Sequence, residues 1–386
     1  MRRSALGPAD FRTVSDLGKL PVLERDQLQT DPEYFVSQAE PATRYAEVRT
    51  SASTGEPIAF FRHVPGLVQR SLGFERMEPM VARVLGTRWT RRDAVIVPPR
   101  QWRTDDDEEP QLQWLGLHIR ARVLNLSLFE PPEAIARAVE AFRPHLVKSY
   151  GSLIEALYAH LLADGRGFHR PEAVSYTGDE ISEPMRRILR HELGIAVLGI
   201  YQAVEAGVIA WQCERQGHYH LNVDLCPVRI LDPDGRELSV EEPGDVVVSN
   251  LVNRGTIVLN YRVGDVAART PESCGCGRAL PLLSEVHGRR TEWLESRSGQ
   301  PIHPQTLRAI IRGVDGVRRF QLVQEQPGHV RVVAVAAAGV APDGIRAQIV
   351  GGVERLAGSL RADVDFVDSL PRTEGGKVLA VLRRDL

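Results

Sequence analysis

Long apolar runs are missing from this chain. No stretch of 18 apolar residues occurs, and the opening Met1-Arg2-Arg3-Ser4-Ala5 is not followed by an apolar signal segment. A membrane span and export are therefore not expected, and the cytoplasm is the expected compartment. Cysteine is scarce, with four in 386 residues. That is too few for a disulfide scaffold and suits metal ligands or buried thiols in a reducing compartment. An excess of one charge is missing too: 48 Lys and Arg stand against 50 Asp and Glu, a formal net charge of −2. Neither nucleic acid nor an anionic membrane is an expected partner. The acidic run Asp105-Asp106-Asp107-Glu108-Glu109 reads as a solvated loop. Internal repeats and low-complexity tracts are also absent.

What remains is the composition of a soluble globular protein, 43% hydrophobic and 25% charged, in a chain too long for one ordinary core. The first fifty residues or so read as irregular and Pro-rich, with short helical pieces. Pro132 to Phe142 reads as a helix, with prolines at its start and Ile135, Val139 and Phe142 on one stripe. A second helix is expected near Ser152–Leu162. A third is expected over Ser182–Leu193, capped by Ser182, with Pro184 in its first turn and Gly194 ending it. The β-rich runs Arg122–Phe129 and Ile195–Ile200 lie on either side of these helices, and strands alternating with helices argue for α/β layering.

From Tyr219 to Ala267 the pattern turns hairpin-rich, with Asp-Pro-Asp-Gly at 232–235 as a strong turn. After Gly288 the expected order is helix (near Pro304–Arg312), strand (Arg319–Glu325), strand (Val330–Ala336), helix (Ile345–Leu360) and strand (Val364–Ser369). That is a compact α+β unit of about a hundred residues, large enough to fold alone. The expected division is a large domain over 1–290 and a small domain over 291–386.

Five segments carry candidate chemistry. Thr50-Ser51-Ala52-Ser53-Thr54-Gly55-Glu56-Pro57 offers hydroxyls and backbone N–H groups that can wrap a polyphosphate, although it is not the Gly-Lys-Ser/Thr loop of common NTPases. Tyr201-Gln202-Ala203-Val204-Glu205 ends a β-run with an aromatic able to stack on a base and a carboxylate able to hold Mg²⁺. In Asn260-Tyr261-Arg262-Val263-Gly264-Asp265, an Asp after a Gly turn suits vicinal ribose hydroxyls. Gly288-Arg289-Arg290-Thr291-Glu292-Trp293 puts arginine at the domain boundary. Leu370-Pro371-Arg372-Thr373-Glu374-Gly375-Gly376-Lys377 ends a glycine loop with a lysine. Each has a bland reading as an ordinary turn or surface side chain.

Their order resembles the adenylate-forming superfamily of acyl-CoA synthetases, peptide-synthetase adenylation domains and luciferases. Within it, Pro144 to Leu153, Thr177-Gly178-Asp179-Glu180, Cys213 to His220 and Cys274-Gly275-Cys276-Gly277-Arg278 resemble the phenylacetate–CoA ligase and capsule-biosynthesis branch. The likeness covers nearly the whole chain. It implies a large mixed α/β domain and a small, mobile α+β C-terminal domain that rotates about Thr291. By the family pattern, Ser51, Ser53, Thr54 and Gly55 would hold the β- and γ-phosphates of ATP and Tyr201 would stack on adenine. Glu205 would bind Mg²⁺, Asp265 the ribose hydroxyls with Arg289 nearby, and Glu180 would border adenine and the acyl group. Lys377 would serve adenylation. The resemblance implies a carboxylic acid substrate, possible preference for an aromatic one, and CoA as acceptor. An amine acceptor, giving an amide, and a non-catalytic nucleotide-binding homologue stay open, as does a homodimer. Ala52 and Glu56 depart from the usual Gly and Lys of the phosphate loop, Gln202 from the Gly after the Tyr, and Thr291-Glu292 from an Asp-Asp hinge.

A structural zinc ion is expected on Cys213, His220, Cys274 and Cys276. The Cys-x-Cys pair can place two thiolates on one metal, and three sulfurs with one imidazole close a tetrahedron. His218 is a rival for His220. Cys226 is left over in a strand-like run and is assigned to packing.

Overall fold

The structure is a computed structural model that describes all residues except 1–5, 40–44, 50–57, 64–75, 87–89, 100–119, 290–293, 303–306, 357–359, 372–377, 384–386 and the single positions 166, 216, 300, 309, 312 and 338. It divides into two compact units, one of Met1–Val263 with Ala267–Val286, the other of Gly264–Val266 with His287–Leu386. No described helix is long and apolar enough to cross a membrane.

In the larger unit β1 (Tyr45–Arg49) and β2 (Ala59–His63) pair antiparallel, Arg49 opposite Ala59. The main sheet takes β3 (Thr90–Val97), β4 (Arg120–Ser127), β5 (Leu146–Tyr150), β6 (Ala173–Thr177), β7 (Ala196–Ala203), β8 (Gly207–Gln212), β9 (Tyr219–Leu221), β10 (Val228–Leu231), β11 (Gly244–Val248), β12 (Tyr261–Thr270) and β13 (Leu282–Arg289). Among the described residues these eleven strands lie in the order β10-β11-β12-β13-β9-β8-β7-β6-β5-β3-β4. Strands β4, β3, β5, β6 and β7 are parallel neighbours, and the direction reverses at the β7–β8 hairpin.

The parallel strands are buried on both faces, which is why they read as near-continuous apolar runs. Val147, Val174 and Val197 point to one side, beneath α3 (Pro132–Phe142) and α4 (Gly151–Asp164). Their chain neighbours Leu146, Ala173 and Leu198 point to the other, against Met80 of α2 (Glu78–Leu85). The helix α1 (Arg25–Thr30) precedes all of these. The start of α3 is set by Pro131 and Pro132, and Ile135 and Val139 are its buried stripe.

The helix expected over 182–193 is replaced by two pieces. Ser182 caps α5 (Glu183–Arg187) by accepting from the Met185 N–H at 3.4 Å, and the chain then widens into a π turn, Ile188–Glu192, before Gly194 at φ +69°. The wider turn lets both Ile188 and Leu189 face the same core.

The smaller unit has a four-stranded sheet, β18 (Arg361–Phe366), β17 (His329–Ala336), β16 (Val317–Gln326) and β19 (Val381–Arg383) in that order, and a short pair, β14 (Leu294–Glu295) with β15 (Pro301–Ile302). Helix α6 (Pro342–Leu356) sets Ile345, Ile349 and Val353 against Val332 and Val364. Strand β18 begins at Arg361, three residues before the expected start at Val364, because Ala362 and Val364 point inward while Arg361, Asp363 and Asp365 stay exposed. That alternation is a strand's period of two. The described parts of 304–312 are helical at 307–308 and 310–311, with Leu307 and Ile311 in the core.

Candidate active site and cysteine–histidine cluster

The C-terminal ends of the parallel strands collect the candidate site. In sheets of this kind ligands bind beyond those ends, where the strand pattern changes. Thr177 pairs with Ile200, so the turn 178–180 and the segment starting at Tyr201 leave the last paired rung side by side. Gly178 turns the chain at φ +83°, and Asp179 Oδ1 accepts from the Ser152 N–H (3.0 Å) at the start of α4. A Cβ at Gly151 would lie 2.5 Å from the Glu180 carbonyl carbon and 2.6 Å from the Asp179 oxygen, so glycine is what lets the helix meet the turn. Glu180 itself is exposed.

Tyr201 is half-buried in β7, and a bulge falls between Tyr201 and Gln202. Bulges re-aim side chains next to sites, and Gln202 stands at this one. Glu205 is buried in the turn between β7 and β8, with its backbone carbonyl accepting from Asn250 Nδ2 at 2.9 Å. One turn thus brings the aromatic and the carboxylate to the same strand end.

The Tyr-Arg-Val-Gly-Asp segment divides its labour. Tyr261 is a core residue, 1% exposed. Arg262 ties Glu24 at the start of α1 (2.9 Å) to the buried Asp245 of β11. Gly264 sits at φ +93°, and Asp265 is half-buried after it. Arg289 ends β13, and its side chain, like the whole of Ser51, Ser53, Thr54, Gly55 and Lys377 and the hinge candidate Thr291, lies outside the described residues.

Cys213, His220, Cys274 and Cys276 gather at one point, their ligand atoms all within 4.8 Å of one another. Cys213 Sγ is 3.5 Å from Cys274 Sγ, and Cys276 Sγ is 3.5 Å from His220 Nε2. A zinc tetrahedron with Zn–S about 2.3 Å and Zn–N about 2.0 Å has S–S edges of about 3.8 Å and S–N edges of about 3.5 Å, so the donor set and its spacing suit that ion. The His220 ring stacks on Trp211 (centroids 5.1 Å apart), and its buried Nδ1 has no hydrogen-bond partner among the described residues. The stacking therefore sets the ring's orientation. His218 points elsewhere, to Glu272 (3.0 Å) and the Ser284 carbonyl.

Burial, then the neighbouring Cys274 thiol, pushes Cys213 up to about 12. Burial also works upward on Cys276, but hydrogen bonds from the Arg278 backbone and side chain and from the two other thiols outweigh it and hold the thiol below its usual value. His220 is lowered by burial and by Arg278, which keeps the imidazole neutral and able to donate a lone pair. Sequence reasoning passed over the supports of this cluster: Arg278 bonds Glu214 (2.8 Å) and lies 5.4 Å over the Trp211 ring. The run from Cys274 to Arg278 was the available signal. Cys226 is fully buried but lies in a turn, not a strand, where Cys226 N–H bonds the Asn222 carbonyl.

The fold is that of the adenylate-forming acyl-CoA ligases. It superposes on a crystal structure of 2-hydroxyisobutyryl-CoA ligase in the postadenylation state with R3-HIB-AMP, with a TM-score of 0.76, 16% identity, and cover of 98% of this chain and 83% of that one. In sequence, the chain is similar to phenylacetate-coenzyme A ligases. The one from Thermus thermophilus is 26% identical over 345 residues, 84% of this chain and 72% of that protein. The one from Escherichia coli is 25% identical over 341 residues, 85% and 74%. Residues 294–384 match the model of the CapK C-terminal domain.

Proposed function

We propose that this protein activates a carboxylic acid with ATP as the acyl-AMP, releases pyrophosphate, and passes the acyl group to CoA. The observation that carries this is the whole-chain likeness to acid–CoA ligases, one of them holding an acyl-AMP, together with Tyr201 and Glu205 at the reversal point of the sheet. A substrate carboxylate oxygen attacks the α-phosphorus and the bond to the pyrophosphate oxygen breaks. The CoA sulfur then attacks the acyl carbon and AMP leaves. No covalent bond to the protein is needed, so catalysis is positioning and charge stabilisation.

In this reading Ser51, Ser53, Thr54 and Gly55 hold the β- and γ-phosphates, Tyr201 stacks on adenine, and Asp265 takes the ribose hydroxyls beside Arg289. Glu180 borders adenine and the acyl group, and Lys377 donates to the reacting phosphate. Glu205 is the residue to hold Mg²⁺, which would neutralise phosphate charge when bound. An aromatic acid is the favoured substrate, by the names of the relatives. Cys213, His220, Cys274 and Cys276 would hold zinc in a closed, structural role, since four protein ligands leave no open position.

Pyrophosphate exchange against a panel of arylacetic, benzoic and aliphatic acids tests the first step, and CoA-dependent AMP release the second. AMP release that answers to amines and not to CoA would replace the thioester by an amide. MgATP binding without exchange for any acid would overturn the catalytic reading.

A further inference from the structure

Four neighbouring strands of the main sheet carry one polar row across a single face. Tyr176 of β6 stands opposite Gly199 of β7, and Gln212 of β8 opposite Tyr219 of β9. The Gly199 N–H donates to Gln212 Oε1 at 2.9 Å and joins the two halves. The Gln212 amide is occupied at its other end too, where Nε2 donates to the Gly217 carbonyl (2.8 Å). The two phenols lean inward from either side and meet over the glycine, hydroxyl to hydroxyl at 3.0 Å. A Cβ at Gly199 would lie 2.4 Å from the Tyr219 oxygen and 2.8 Å from that of Tyr176. Glycine weakens a strand interior, and here it is what lets the hydroxyls close.

Hydrogen bonding at this junction is incomplete. Arg186 of α5 donates to the Tyr176 oxygen (2.6 Å) and lies 5.3 Å over its ring. A guanidinium has donors only, so it takes no phenolic proton. Burial, then the neighbouring Tyr176, raises Tyr219 well above its ordinary value, which keeps it a neutral phenol. Two phenols bring two O–H groups, and their mutual bond uses one. The other meets no acceptor among the described residues. Whichever phenol donates to its neighbour, the pair keeps one donor and at least one oxygen lone pair unused. A hydroxyl group accepts one bond and donates another, so it answers both. A carboxylate answers only the donor, and the charge of Glu180, which acts on Tyr219, would repel it.

The row lies beside the candidate site. Tyr176 directly precedes Thr177 and the turn 178–180. Gly199 is two residues before Tyr201 on the same face of β7, about 7 Å along the strand. Tyr176 is buried, while Tyr219 and Arg186 are half-buried. All of these residues belong to the larger unit.

We propose that Tyr176 and Tyr219 bind a hydroxyl group on the carboxylic acid, so that the acid this protein activates is a hydroxy acid. Arg186 is a positioning residue that fixes the Tyr176 phenol. This rests on the reading of Glu180 and Tyr201 given under the proposed function, which sets the acid beside the row. An acid without the hydroxyl leaves the spare donor and lone pair unmet beneath it, and a site built to bond a hydroxyl discriminates against such an analogue.

The test compares phenylacetate, benzoate and butyrate with their monohydroxy isomers. It reads kcat/KM in pyrophosphate exchange, and Kd by calorimetry with and without a non-hydrolysable ATP analogue. At least one hydroxylated acid should exceed its parent by about tenfold, the scale of one hydrogen bond whose loss strands its partner. Tyr219→Phe keeps the ring and removes one oxygen, and the ratio of hydroxylated to parent acid should then fall to about one. A tyrosine with a merely structural role would lower both acids together and leave that ratio unchanged. An unchanged ratio in Tyr219→Phe, or a wild type that prefers terephthalate to 4-hydroxybenzoate, overturns the inference. If Tyr219→Phe does not fold, the wild-type comparison decides. Exchange with no preference for any hydroxylated acid sinks this inference alone. Hydroxyl-dependent binding that Tyr219→Phe abolishes, without exchange for any acid, sinks the ligase reading and leaves the tyrosine pair standing. Neither exchange nor binding of any acid sinks both.

Discussion

Cys226 and Cys276 are both free thiols, and their surroundings make opposite demands. Cys226 is fully enclosed among apolar side chains, and burial pushes it up to about 12. Cys276 is half-exposed beside an imidazole, two thiols and a guanidinium. Cys276→Ser should lower bound zinc well below the about one ion per chain expected of a four-ligand site, measured on protein purified without added metal. Cys226→Ser should leave zinc unchanged and cost about 1–3 kcal/mol of stability, by placing a more polar hydroxyl in an apolar enclosure whose one hydrogen-bonding partner for the thiol is the Ser249 backbone N–H. A wild type free of zinc with full stability would refute the site. The cysteines announced themselves in the sequence because few other roles were open to them. Arg262 did not: its partners Glu24 and Asp245 lie 238 and 17 residues away, and nothing local in the Tyr-Arg-Val-Gly-Asp run says that the arginine binds protein.

At the scale of elements, the start of α4 fits closely against the turn 178–180 beside the candidate site. Gly151→Ala would push a methyl group into backbone atoms at 2.5–2.8 Å. A cost of about 1–3 kcal/mol follows from such overpacking. The turn carrying Glu180 should shift with it, so the KM for the acid should rise in step with the fall in melting temperature. A variant with wild-type stability would show that the turn yields freely. Elements marked by punctuation were legible. Prolines opened α3 where expected, and Ser182 and Gly194 bracketed their segment. The π turn inside that segment was not, because its extra residue answers to where Ile188 and Leu189 must pack and not to any local preference. The same limit hid the meeting of Tyr176 and Tyr219, which lie 43 residues apart and come together only over Gly199.

For the whole molecule, the sequence carried the alternation of strands and helices but not the strand order. Which edge meets which is settled by distant surfaces, as where β13 pairs with β9 across some sixty residues of chain. Two expectations concern the molecule as a whole. The C-terminal unit has its own apolar core, built by α6 over four strands, so residues 291–386 expressed alone should melt cooperatively. A fragment without a thermal transition would count against an autonomous domain. Lys377→Ala should reduce acyl-AMP formation by about 10²–10³, the usual effect of removing one preorganised donor. It should spare CoA-dependent turnover of supplied acyl-AMP. Equal losses in both assays would remove the lysine from the adenylation step.

The strand order also has a consequence for the making of the protein. Strand β9 ends at Leu221, and its partner β13 begins at Leu282. On the ribosome the β8–β9 edge therefore waits for a cover strand not yet translated, for about 3–12 s at ordinary elongation rates. An open strand edge in a nascent chain invites pairing with other chains. Leu282 follows closely on Cys274 and Cys276, while Cys213 and His220 flank the waiting edge. An ion captured by those four side chains would deliver the missing strand to its place as it emerges, and growth in zinc-depleted medium should then send newly made chains into inclusion bodies while leaving folded, older molecules in solution.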